Sequence, residues 1–156
     1  MVAASQRDFT TTRQPTGGLG SGTCRTSRKS GGLTIGISPA FSKEEHVNGY
    51  NLPTDGADVI IYTGFGLKGR NVINIRSSDI VIIFGGGMGA LNEFTIAYDE
   101  GKVIGVLDGS GGIADHIREI VEFAKKQTLS QLIFNSDPEA LIDLCLRALS
   151  TRMKEA

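Results

Sequence analysis

Residues 79–93 read Asp79-Ile80-Val81-Ile82-Ile83-Phe84-Gly85-Gly86-Gly87-Met88-Gly89-Ala90-Leu91-Asn92-Glu93, an apolar β-branched run that passes into four glycines within five positions and then into a helical pattern. A run apolar at consecutive rather than alternate positions predicts a strand buried on both faces, as in a parallel sheet covered by helices. Four further runs share this character, from Leu33 to Ile37, Asp58 to Tyr62, Val103 to Leu107 and Gln131 to Phe134. Helical patterns lie between them, over Asn71 to Ser77, Leu91 to Glu100, Ile113 to Lys126, and Pro138 to about Met153. The last opens with Asp137 as N-cap and Pro138 at the first helical position. The alternation predicts a Rossmann-like, doubly wound α/β fold with a mostly parallel sheet flanked by helices, whose ligands sit outside the carboxyl ends of the strands.

The 156 residues suit one domain, and 40% hydrophobic with 21% charged residues is a globular composition. A formal net charge of −1 gives no general pull toward nucleic acid or anionic lipid, and no apolar run reaches the ~20 residues of a membrane helix. The expected partner is therefore a small molecule, with neither nucleic acid nor membrane. Cys24 and Cys145 lack any CxxC or Cys/His ligand spacing, so no metal site is expected and a reducing, cytoplasmic setting fits. GxSxG, GxxxxGK[ST] and HExxH motifs are absent, which removes serine hydrolase, P-loop and zincin readings.

Two stretches stand apart from the alternation. Ser38 to Ala57 is a twenty-residue connection with a helical hint at Ser42 to Val47, and its conformation stays open. Residues 1–30 are rich in Ser, Thr, Arg, Gln and Gly, and are expected to form an atypical, mobile segment without an unaided strand, ahead of a domain over residues 31–156.

The chemistry gathers at three glycine loops. Gly85, Gly86, Gly87, Met88, Gly89 and Ala90 join a buried strand to a helix start, where close-packed backbone N–H groups and the helix dipole favour a phosphate. Glu93, expected in the first helical turn, has Ala90 rather than Ser or Thr three residues earlier, so no capping box accounts for it. The loop containing Gly64 and Gly66 leads to Arg70, a cation at an expected helix start that calls for a negative partner. The third loop, Asp108-Gly109-Ser110-Gly111-Gly112, either closes over a ligand or simply turns the chain. His46 and His116 are isolated and read as surface or capping residues.

At these residues the sequence resembles the LOG family, Rossmann-like proteins long labelled "possible lysine decarboxylase", whose hallmark is PGGxGTxxE. Gly85 to Glu93 matches it with Gly for the family's Pro and Ala90 for its Thr, and Glu93 keeps the acid. Arg70 and Asp79 hold the places of the family's arginine and its strand-entering Asp, with Asn71 for the adjoining Lys. The resemblance implies that Gly86, Gly87 and Gly89 bind the phosphate of a nucleoside 5′-monophosphate. It also implies that Arg70 and Glu93 act on the N-glycosidic bond, with no cofactor required. The Arg-Asn pair and the triple glycine are similar to the branch of molybdenum cofactor carriers, which implies the alternative of a protein that holds a phosphorylated pterin, the molybdenum cofactor, without turnover. A homodimer or higher homo-oligomer through the Leu91 to Asp99 helix is implied as well. The change in character near Lys29 predicts that the family's first strands are truncated or replaced here.

Overall fold

The computed structural model describes residues 2–4, 9–11, 33–55 and 57–155, with side chains from Leu33 onward. The chain divides into two compact units, Met1–Ser78 and Asp79–Ala156.

In the first unit β1 (Val2–Ala4) and β2 (Phe9–Thr11) pair antiparallel, Val2 opposite Thr11 and Ala4 opposite Phe9. These strands are paired with each other, so the expectation that no unaided strand forms in the first thirty residues is not contradicted. Two short segments satisfy each other's backbone groups, so neither needs the apolar side chains that an unaided strand would require. The expected mobility and the glycines at 17–20 fall on residues outside the described ones. β3 (Ile35–Ser38) and β4 (Val59–Tyr62) pair in parallel with Ile35 opposite Val59, and α1 (Gly66–Arg76) packs on β3. The turns after β3 and β4 are tied together, because Gly64 N–H donates to Ala40 O at 2.9 Å and Gly66 N–H to Pro39 O at 3.0 Å.

The long connection between β3 and β4 carries a π-helical turn, Glu45–Gly49. That turn points His46 inward, contrary to the surface reading, and leaves it 6% exposed. Its Nδ1 lies 2.8 Å from Ser38 Oγ and its Nε2 3.2 Å from Pro53 O. The carbonyl accepts only, so Nε2 carries a proton, and in the neutral ring Nδ1 accepts from the serine hydroxyl. His116 is exposed and pairs with Glu119 at 3.2 Å.

The second unit begins with β5 (Ile80–Ile83), buried throughout, followed by α2 (Met88–Asp99) and β6 (Val103–Leu107). A 3-10 turn (Gly112–His116) runs into α3 (Ile117–Ala124), and β7 (Gln131–Asn135) and α4 (Pro138–Glu155) complete the unit. β5, β6 and β7 form parallel ladders in that order, Ile80 opposite Val103 and Val103 opposite Gln131. Helices α2 and α4 pack against β5 and β6, whose apolar runs are buried as their continuous hydrophobicity predicts. By contrast, β7 is only half-buried and β4 leaves Val59 and Ile61 exposed, contrary to the expectation of strands buried on both faces. Asp137 caps α4 through a 2.7 Å bond from Ala140 N–H.

The expected helix over Ile113 to Lys126 is in fact two pieces, the 3-10 turn and α3, and the amides of Ile113 and Ala114, which have no acceptor within a helix that begins there, donate to Gly86 O and Gly85 O. Lys125, left-handed at φ 51°, ends α3. Near the middle of β6, Gly105 lies so close to its neighbours that a Cβ there would stand 2.7 Å from Cys145 Sγ on α4 and 2.7 Å from Ile82 Cδ1.

Candidate functional site

The glycine turn between β5 and α2 is built by backbone geometry that only glycine adopts without strain. Gly85 and Gly86 have φ of 53° and 83°, and a Cβ on Gly86 would lie 2.5 Å from the Cβ of Ala90. Gly87 is the N-cap of α2 and supplies no side chain to its amides. The first intrahelical bond of this end runs from Leu91 N–H to Gly87 O at 3.0 Å, so the amides of Met88, Gly89 and Ala90 have no acceptor inside the helix. Gly86, Gly87 and Met88 are exposed, and a Cβ built on Gly87 would meet nothing within 4 Å. Donors with no acceptor in their own helix, the positive end of that twelve-residue helix and, among the described residues, open space therefore coincide.

The third glycine loop lies beside this turn within the same unit. Ser110 Oγ accepts from Gly85 N–H at 2.9 Å and donates to Leu107 O at 2.6 Å. Ile113 N–H donates to Gly86 O at 2.9 Å and Ala114 N–H to Gly85 O at 3.2 Å. The Asp115 carboxylate takes the amides of Gly109 and Gly111 at 2.8 and 3.0 Å. Asp108 pairs with Arg118 at 2.8 Å, and that guanidinium lies 3.6 Å over the Phe134 ring. That Asp115 belongs to this loop is not legible in sequence, because an acid three residues past a Gly-Gly pair looks like any helix-start carboxylate.

Glu93 is 2% exposed and sits in the second turn of α2, since the helix starts at Met88 rather than near Leu91. Its position is therefore set by burial on the helix face and not by the dipole of the first turn. Arg70 is likewise inside a helix and not at its start, because α1 begins at Gly66. It is 2% exposed, and its Nη1 donates to Ile37 O at 3.3 Å, so burial rather than a helix terminus sets its surroundings. Asn71, noted in the sequence as the partner of Arg70 in the Arg-Asn pair, is buried on α1 as well, and so is Asn74, which sequence reasoning did not single out. Gly64 and Gly66, at φ of 68° and 65°, belong with Arg70 to the first unit. Among the described residues no three His, Cys, Asp or Glu side chains gather as a metal site, and no helix is long and apolar enough to cross a membrane.

Parallel strands flanked by helices, with a glycine turn feeding a helix, define a Rossmann-like protein of the LOG-like superfamily. The sequence matches the SLOG cluster4 family over residues 9–142, and the chain belongs to that family. An uncharacterized protein of Archaeoglobus fulgidus is 37% identical over 91 residues, which are 58% of this chain and 54% of that protein, so the match spans about half of that relative. The molybdenum cofactor binding protein from the phototrophic bacterium Rippkaea orientalis is similar in structure, with a TM-score of 0.63 and 31% identity over 81% of this chain and 68% of that one. The X-ray structure of TM1055, a structural genomics target, has a TM-score of 0.67 over 80% of this chain and 69% of that one. At 23% identity the latter is a likeness of fold.

Proposed function

We propose that the protein binds a small phosphorylated ligand, a nucleotide or phosphorylated heterocycle, with its phosphate at the foot of α2. The observation that carries this reading is the coincidence of uncapped amides at Met88, Gly89 and Ala90 with the exposed, side-chain-free turn at Gly86 and Gly87. Each N–H placed on a phosphate oxygen is a charge-assisted hydrogen bond, and the helix dipole adds about 0.3–1 kcal/mol. Binding needs no cofactor. A molybdenum cofactor would enter as cargo, through its phosphate, a reading supported by the likeness to the Rippkaea orientalis protein.

Hydrolysis of a nucleoside 5′-monophosphate is the second reading, favoured by the buried carboxylate of Glu93 on the same helix as the cradle. There the carboxylate would stabilise positive charge developing on the ribose as the N-glycosidic bond breaks, while water adds to the anomeric carbon and the base leaves with a proton. Calorimetric titration with AMP, ribose 5-phosphate and inorganic phosphate tests the binding, which is refuted if none associates. Incubation with AMP and a cytokinin riboside monophosphate separates the two readings. Released base that disappears in Glu93→Ala supports turnover, and retained binding without release supports a carrier.

A further inference from the structure

We infer that Ser110 and Asp115 are positioning residues that aim the peptides of the glycine turn at an anion they do not touch. This rests on the phosphate-cradle reading of Gly85 to Ala90. In a trans peptide the carbonyl and the following N–H point in opposite directions, and no described peptide is cis. The carbonyls of Gly85 and Gly86 are both drawn toward the 3-10 turn, where they accept from Ala114 and Ile113. The N–H groups of Gly86 and Gly87 therefore face the other way. Turning either peptide over would break a hydrogen bond and present a carbonyl oxygen, which repels a phosphate, in place of a donor.

The third glycine loop holds this orientation. Gly112 brings its α-carbon so near that a Cβ would lie 2.3 Å from Gly86 O. The Ser110 hydroxyl ties Gly85, the first residue of the turn, to Leu107 at the end of β6. Asp115 holds the amides of Gly109 and Gly111, one on each side of Ser110, and so fixes the hydroxyl where Gly85 needs it. Both roles of the Ser110 hydroxyl are committed within the loop, which acts as a buttress and not as a lid. A ligand gains from it only through pre-organised donors.

The test uses the full chain with Ser110→Ala, Ser110→Thr and Asp115→Asn, titrated with inorganic phosphate and AMP. Amide resonances of Gly86 and Gly87 are recorded in the free protein by NMR. Affinity is expected to fall about three- to tenfold in Ser110→Ala and Asp115→Asn, the range of one lost hydrogen bond, and to return within about twofold in Ser110→Thr. The Gly86 and Gly87 resonances are expected to shift or broaden before any ligand is added. Unchanged affinity with unchanged resonances overturns the inference, and so does lost affinity with unmoved resonances, which would make Ser110 a direct contact. If the wild type binds neither probe, the cradle reading fails by itself. The free-protein resonances then decide the positioning alone: movement sustains it and constancy ends it.

Discussion

Replacing Gly112 by alanine drives a methyl group into the junction between the two glycine loops. Its φ of 58° is left-handed, which costs a residue with a β-carbon about 1–2 kcal/mol. The new Cβ would stand 2.3 Å from Gly86 O, 2.9 Å from Gly85 C and 3.0 Å from Gly86 N. All three are backbone atoms, so no side chain can rotate out of the way. Relief requires the loops to part and the bonds from Ile113 to Gly86 and from Ala114 to Gly85 to break, at about 0.5–1.5 kcal/mol each. The expected total is about 2–5 kcal/mol of lost stability. Gly109→Ala is the matched control, left-handed at φ 75° but with nothing within 4 Å of the new Cβ, and it should lose only the conformational share of about 1–2 kcal/mol. Urea denaturation of both variants isolates the clash as the difference, about 1–3 kcal/mol. Equal losses, or a larger loss in Gly109→Ala, would refute the interlock.

Cys145 is fully buried, and desolvation pushes its thiol up from 9.0 to about 11. The folded state thus keeps its proton where the unfolded chain gives it up, so this contribution is intact below pH 9 and falls away by up to about 2–3 kcal/mol as pH rises toward 11. Denaturation midpoints measured across that window should fall more steeply in wild type than in Cys145→Ala, and labelling followed by mass spectrometry should find Cys145 unmodified at pH 8 until the protein unfolds. Asp137→Ala removes the cap on Ala140 N–H and should lower stability by about 1 kcal/mol, with Asp137→Ser restoring most of it in thermal melts. Phe94, 2% exposed and stacked on Tyr98 at a centroid distance of 5.7 Å, should cost about 3–5 kcal/mol on truncation to alanine by the same urea assay.

The strands were legible in the sequence because each combined an apolar, β-branched run with a glycine or polar boundary. Val103–Leu107 has the expected bounds, and β7 differs only by one residue at Asn135. Helix starts were less legible. Glycine's helix penalty of about 1 kcal/mol argued against including Gly66, Gly69 or Gly89, yet α1 and α2 contain them, because packing outweighs propensity. At Gly69 the reason is local: a Cβ there would lie 2.7 Å from the Cβ of Phe65, so only glycine lets the chain fold back over that residue. Moving the helix starts upstream removes the dipole arguments for Arg70 and Glu93 and replaces them with burial. Burial of Arg70, Glu93 and His46 could not be read from one sequence, where a charged or imidazole side chain looks the same in a core as on a surface. The glycine cradle was legible because its conformational requirement is written in residue type, whereas the Asp115 clamp depends on a fold-back that no local pattern announces.

The missing side chain at Gly105 makes a slot in the sheet, and the Cys145 sulfur is the tenon that fills it. A helix lying on a smooth sheet is free to slide along its own axis at little expense, but this one is keyed. Leu141, one turn before Cys145, reaches the same space, its Cδ1 3.3 Å from where a Cβ would stand, so sliding α4 along its axis would draw two side chains out of the room that the glycine leaves. One absent methyl group thereby sets how far α4 lies along the strands it covers.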